Sequence, residues 1–153
     1  MRTWACPDHL RSGRLRGVSQ PRALVVGQSG GPTAVINRSL AGIIREALAA
    51  EDRIGPIVGL RHGIEGLLGG QFVDLRNQQT GFLDALEDTP SSILGSCRYR
   101  LADEDLDRAL DGLRKLNAGM FLYIGGNDSA DTTHRLALAA QAAGDDLVCI
   151  GVP

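Results

Sequence analysis

Two rhythms of apolar positions alternate along this chain. Short uninterrupted runs at residues 23–26, 57–60, 120–124 and 147–150 are bounded by Gly, Pro or acidic residues. Runs of that length are too short for helices and read as buried strands. Between them apolar residues recur every three or four positions. Ile36, Leu40, Ile43, Ile44, Ala47 and Leu48 form one stripe, and Leu106, Leu110, Leu113 and Leu116 form a second, each the buried face of an amphipathic helix. Weaker patterns predict short helices over 64–70 and 80–87 and a short strand over 72–75. An alanine-rich helix over 130–143 stops at Gly144. Pro32 is placed for a first helical position and Asp103 for a helix N-cap. The alternation predicts an α/β domain with a mainly parallel sheet and helices on both faces. In such sheets ligands gather beyond the carboxyl ends of the strands.

Composition fits this picture. Glycine is abundant, at 20 residues, and aromatics are scarce, at 4%, the balance of glycine turns between aliphatic strands and alanine-rich helices. The net charge of −2 hides an asymmetry: residues 1–22 carry five arginines against a single aspartate, leaving the remainder acidic. The segment has no apolar core for secretion, and Pro7, Gly13 and Gly17 break an amphipathic helix, so residues 1–22 read as a basic disordered extension to a domain spanning 23–153. No stretch is long and apolar enough to span a membrane, and neither membrane nor nucleic acid is expected as a partner. Cys6, Cys97 and Cys149 are odd in number and far apart, with no zinc spacing and no disulfide framework, which fits a cytoplasmic protein. Lys115 is the only lysine. An anion site would therefore rely on arginine, backbone amides or a metal.

Three polar turns carry the candidate chemistry. Gly27-Gln28-Ser29-Gly30-Gly31-Pro32 joins a strand to a helix, where glycines let a backbone approach phosphate and helix amides point at it. It matches neither the P-loop nor the dinucleotide fingerprint, and its plain reading is a turn. Gly125-Gly126-Asn127-Asp128-Ser129 sets an amide, a carboxylate and a hydroxyl at a helix N-terminus. Such oxygen donors suit Mg²⁺ with a phosphate ligand, and the same residue types are preferred helix caps. Gly95-Ser96-Cys97-Arg98-Tyr99-Arg100 offers two arginines, suited either to gripping phosphate or simply to solubility.

Taken in order, Ser29-Gly30-Gly31-Pro32-Thr33-Ala34-Val35-Ile36-Asn37, Leu94-Gly95-Ser96-Cys97-Arg98, Ile124-Gly125-Gly126-Asn127-Asp128-Ser129 and Ile150-Gly151-Val152-Pro153 resemble the phosphofructokinase family over residues 23–153. The resemblance implies a Rossmann-like N-terminal domain that binds the phosphoryl donor. Gly30, Gly31, Gly126 and Ser129 would hold the donor and Arg98 would neutralise it. The metal-binding aspartate of ATP-dependent members is Asn127 here, so Mg²⁺ would meet an amide, directly or through water. The glycine that follows in those members is Asp128 here, as in the pyrophosphate-dependent branch, where it excludes ATP by charge and volume. The implied parent activity is phosphoryl transfer from pyrophosphate to fructose 6-phosphate by a homo-oligomeric glycolytic enzyme. In the family the loop bearing the catalytic base follows Gly-x-Pro, so these 153 residues hold no catalytic residue and are expected to be inactive alone. An ATP-dependent relative and a non-catalytic product, either phosphate-binding or a decaying gene fragment, are the alternatives.

Overall fold

A computed structural model describes residues 21–153. The reading of 1–22 as a basic extension therefore falls, for 1–20, outside the described residues. Five strands, β1 (Ala23–Gln28), β2 (Ile57–Leu60), β3 (Phe72–Asp74), β4 (Ala118–Ile124) and β5 (Val148–Val152), form one sheet in the order β3-β2-β1-β4-β5. All pairs are parallel except β2 with β3, which is antiparallel. All six residues of β1 and all four of β2 are buried. That burial on both faces explains why these strands read as unbroken apolar runs.

Five helices cover the sheet: α1 (Ile36–Ala49), α2 (Gly63–Gly69), α3 (Phe82–Asp88), α4 (Leu106–Lys115) and α5 (Asn127–Ala142). Alternate side chains of the strands divide the interior in two. Leu24, Val26, Leu122 and Ile124 pack with α1 and α3, whereas Val25, Phe121 and Tyr123 pack with α2, α4 and α5. The topology accounts for this. The chain moves outward from β1 to β2 in one direction and from β4 to β5 in the other. Crossovers of the same hand laid in opposite directions put α1 and α5 on opposite faces. No helix among the described residues is long and apolar enough to cross a membrane.

Two helix starts differ from the sequence reading. Pro32 is not the first residue of α1, which begins at Ile36. The Gln28 side chain reaches forward to the Ile36 carbonyl and to Asn37, so the helix starts where that amide anchors it and residues 29–35 remain a loop. Asp103 does not cap the fourth helix either. It opens a 3₁₀ turn, Asp103–Asp105, from which α4 continues at Leu106. The Asp103 carboxylate is taken by Arg135 of α5. Asn117, at φ 51°, ends α4 in the left-handed region and turns the chain directly into β4.

Candidate functional site

Strands β1 and β4 lie side by side at the centre of the sheet, and their crossovers leave in opposite directions. Their carboxyl ends therefore open a crevice, the place where α/β sheets bind ligands. The loop after β1, the start of α5 after β4 and the arginine loop all enter it. Together they line a cleft of about 380 Å³ bounded by Gly30, Arg98, Arg100, Asn127, Asp128 and Ser129, among others. Gly30 sits at φ +78° and a Cβ there would lie 3.7 Å from the Gly126 amide nitrogen, so the two glycine turns are in direct apposition. Gly31 is exposed beside Gly30 and adjoins the cleft without lining it.

The α5 N-terminus is suited to an anion. Its N-cap is Gly126 and no side chain caps it, so the capping explanation of Asn127, Asp128 and Ser129 does not describe their side chains. Among the described residues the amides of Gly126, Asn127 and Asp128 have no acceptor, whereas those of Ser129 and Ala130 bond the Gly126 carbonyl at 3.0 Å. Free amides at the positive end of a helix attract negative charge. Asn127 and Asp128 are exposed and Ser129 is buried. The Asp128 carboxylate makes no hydrogen bond or ion pair among the described residues and adds a fixed negative charge to the cleft mouth.

Opposite stands the arginine loop. The Ser29 hydroxyl and the Gly30 amide donate to the Cys97 carbonyl at 3.1 and 3.3 Å, and the Ser96 hydroxyl donates to the Gly30 carbonyl. Gly95, at φ +81°, lets the chain pass the His62 ring, which a Cβ would meet at 2.5 Å. Arg98 and Arg100 are exposed in the cleft wall with no carboxylate partner among the described residues. Elsewhere most arginines are engaged, as in Arg45 with Asp84 and Glu87 or Arg114 with Asp111 and Asp145. An arginine kept free of acids beside unpaired helix amides is suited to a phosphate.

Magnesium fits this donor set only in one way. Among the described residues no group of three or more His, Cys, Asp or Glu side chains could hold a metal ion, and the helix dipole opposes a bare cation at Asn127. Mg²⁺ normally retains waters and is held through one or two protein oxygens plus substrate phosphates. Asn127 and Asp128 can supply those protein oxygens.

Several structural polar residues escaped sequence analysis. Gln28 and Asn37 are 0% and 1% exposed. Gln28 Nε2 donates to Asn37 Oδ1 at 3.1 Å, while its Oε1 accepts from Ser92 Oγ at 2.8 Å and the Leu94 amide at 3.0 Å. Asn37 accepts from the Ile93 amide at 3.0 Å and donates to the Thr89 carbonyl at 2.8 Å. This buried amide pair ties β1, α1 and the approach to the arginine loop together. The available signal was a polar side chain interrupting an apolar stripe. Beneath the cleft, Tyr123 accepts from the Ile64 amide at 3.1 Å, and burial pushes its phenol up to about 12. Beside it, the Tyr99 hydroxyl donates to Asp105, a bond that holds this phenol above its ordinary range.

Known proteins are similar to this chain in sequence and fold. The phosphofructokinase family profile matches residues 23–153. The pyrophosphate–fructose 6-phosphate 1-phosphotransferase of Xanthomonas campestris pv. campestris (strain B100) is 43% identical over 135 residues, covering 85% of this chain and 32% of that protein. A pyrophosphate-dependent phosphofructokinase from Marinobacter aquaeolei superposes with a TM-score of 0.80 at 37% identity, over 86% of this chain and 33% of that one. A pyrophosphate-dependent phosphofructokinase from Nitrosospira multiformis gives 0.82 at 36% identity, with the same coverage. The chain spans about a third of the length of these relatives. With a profile match running from the first strand to the last residue, and with the glycine turns and arginine loop meeting at one crevice, this chain belongs to the phosphofructokinase family.

Proposed function

We propose that this segment binds pyrophosphate as the phosphoryl donor for transfer to fructose 6-phosphate. One observation carries the reading: at the switch point of the sheet, unpaired α5 amides and two acid-free arginines face each other across a cleft guarded by the Asp128 carboxylate. The pyrophosphate anion would lie against the amides of Gly126–Asp128 and beside Gly30 and the Ser129 hydroxyl, with Arg98 neutralising it by paired hydrogen bonds. Magnesium would be held by donor phosphate oxygens with help from Asn127 or Asp128 and would offset developing charge. Asp128 would disfavour ATP, whose extra phosphate and nucleoside must pass a fixed like charge. Donor positioning and charge neutralisation dominate phosphoryl transfer, and these residues supply both for the donor half of the reaction.

Calorimetric titration of the chain with Mg²⁺-pyrophosphate and with Mg²⁺-ATP tests this. Pyrophosphate should bind at least about tenfold more tightly than ATP, and Arg98→Ala should weaken pyrophosphate by about ten- to a hundredfold, the loss of a charged hydrogen-bond pair. Equal affinities, or indifference to Arg98→Ala, would overturn the reading. In a coupled assay a polypeptide of these 153 residues should show no turnover, because among the described residues Asp128 is the only carboxylate lining the cleft and is assigned to donor choice. Turnover abolished by Asp128→Ala would show that Asp128 acts as the base instead.

A further inference from the structure

Between the Leu94 turn and α4 the chain runs without regular structure except for the 3₁₀ turn Asp103–Asp105. It is fastened at both ends. Upstream, the Cys97 carbonyl is held by Ser29 and Gly30. Downstream, Arg135 of α5 donates to the Leu101 carbonyl and to Asp103. The intervening Arg98-Tyr99-Arg100 has one long-reaching side-chain tether among the described residues, the Tyr99 hydroxyl bonded to Asp105 Oδ2.

Asp105 is unusual in its use. It closes the 3₁₀ turn in helical conformation immediately before α4, and its carboxylate makes no bond to a helix amide. At 8% exposure its Oδ1 accepts from Arg108 at 2.6 Å while its Oδ2 accepts from the phenol. A buried carboxylate that forgoes the helix end and bonds a loop phenol orders that loop. Ordering it before a ligand arrives removes an entropic cost from binding.

Resting on the donor-site reading above, we infer that Tyr99 is a positioning residue: its hydroxyl, latched to Asp105, holds Arg98 and Arg100 in the cleft wall. The latch acts through the arginines, so its effect on phosphate affinity vanishes when they are absent.

Pyrophosphate binding, followed by NMR titration so that weak affinities are measurable, tests this in two backgrounds. Tyr99→Phe should lower affinity about three- to tenfold, the size expected for one lost hydrogen bond, with little change in melting temperature. In the Arg98→Ala/Arg100→Ala background the same change should do nothing. Asp105→Asn, which keeps an acceptor for the phenol, should retain most of the affinity, whereas Asp105→Ala should match Tyr99→Phe. A Tyr99→Phe effect that is absent, or equal in both backgrounds, overturns the latch while leaving the donor site intact. If the arginine double variant binds as tightly as the parent chain, the donor-site reading itself fails, and the latch with it.

Discussion

A single carboxylate sets the donor choice proposed for this cleft. Asp128 stands in the first turn of α5 with its side chain exposed and uncommitted. Replacing it by glycine removes one negative charge from the cleft mouth and opens space. Asp128→Gly should therefore shift the ratio of pyrophosphate to ATP affinity by about tenfold to a hundredfold toward ATP. Asn127→Asp should instead lower the Mg²⁺ concentration needed and leave the ratio unchanged. Melting temperatures of the same variants separate a site effect from a helix effect, because an unaltered affinity ratio with earlier melting would make both residues purely structural. Tyr123 makes a different prediction, in alkali. Burial raises its pKa from 10 to about 12, so above pH 10 the unfolded chain releases a proton that the folded chain retains. The stability this contributes is complete below pH 10 and falls as pH rises toward 12, by about 2–3 kcal/mol in all. Tyr99 and Tyr123 are the only tyrosines. Tyrosinate absorbance in Tyr99→Phe should consequently appear together with loss of helical circular dichroism. Smooth titration of a chain that stays folded would contradict the burial of Tyr123.

At the level of elements, the join between β1 and α1 carries more than its glycines suggested. Gln28→Leu would leave the Leu94 amide and part of Ser92 and Asn37 without partners in a buried place. A loss of about 2–4 kcal/mol follows, read as a lowered denaturation midpoint with an unchanged slope. Strand and helix identities were legible in the sequence because period and glycine punctuation act locally. The unbroken run at 57–60 and the leucine stripe at 106–116 each admit one regular structure. Element starts were less legible, since they depend on distant partners: Gln28 decides where α1 begins, and Arg135 takes the carboxylate of Asp103. The cleft was readable as three separate polar turns. Their convergence depends on β1 and β4 being neighbours, and no local pattern encodes that pairing. The Tyr99–Asp105 bond was invisible for another reason: a Tyr and an Asp six residues apart in a loop have no periodic signature.

The sheet as a whole is covered unevenly. On the face shared with α1 and α3, the β4–β5 end is bare: Met120, Val148 and Ile150 are 36%, 49% and 44% exposed and lie in adjoining register. Among the described residues β5 is also an edge strand, without proline or lysine and with no element beyond it. An apolar, unguarded edge is prone to self-association. The 153-residue polypeptide should sediment as a concentration-dependent mixture, and Ile150→Lys should shift it toward monomer. A monodisperse monomer with a sharp thermal transition would show that this face tolerates water. The central position of β1 has a consequence in time as well. Its neighbour β2 follows within a few tens of residues, but β4 pairs with it from roughly a hundred residues further on. At synthesis rates of about 5–20 residues per second, β1, every residue of which is buried in the finished fold, waits on the order of 5–20 s on the ribosome with one flank unpaired. Pairing across such a separation also requires closing a long loop before any contact rewards it, which slows folding from denaturant too. Of the five strands of this sheet, the one that leads into the cleft is thus the first to be made and among the last to be completed.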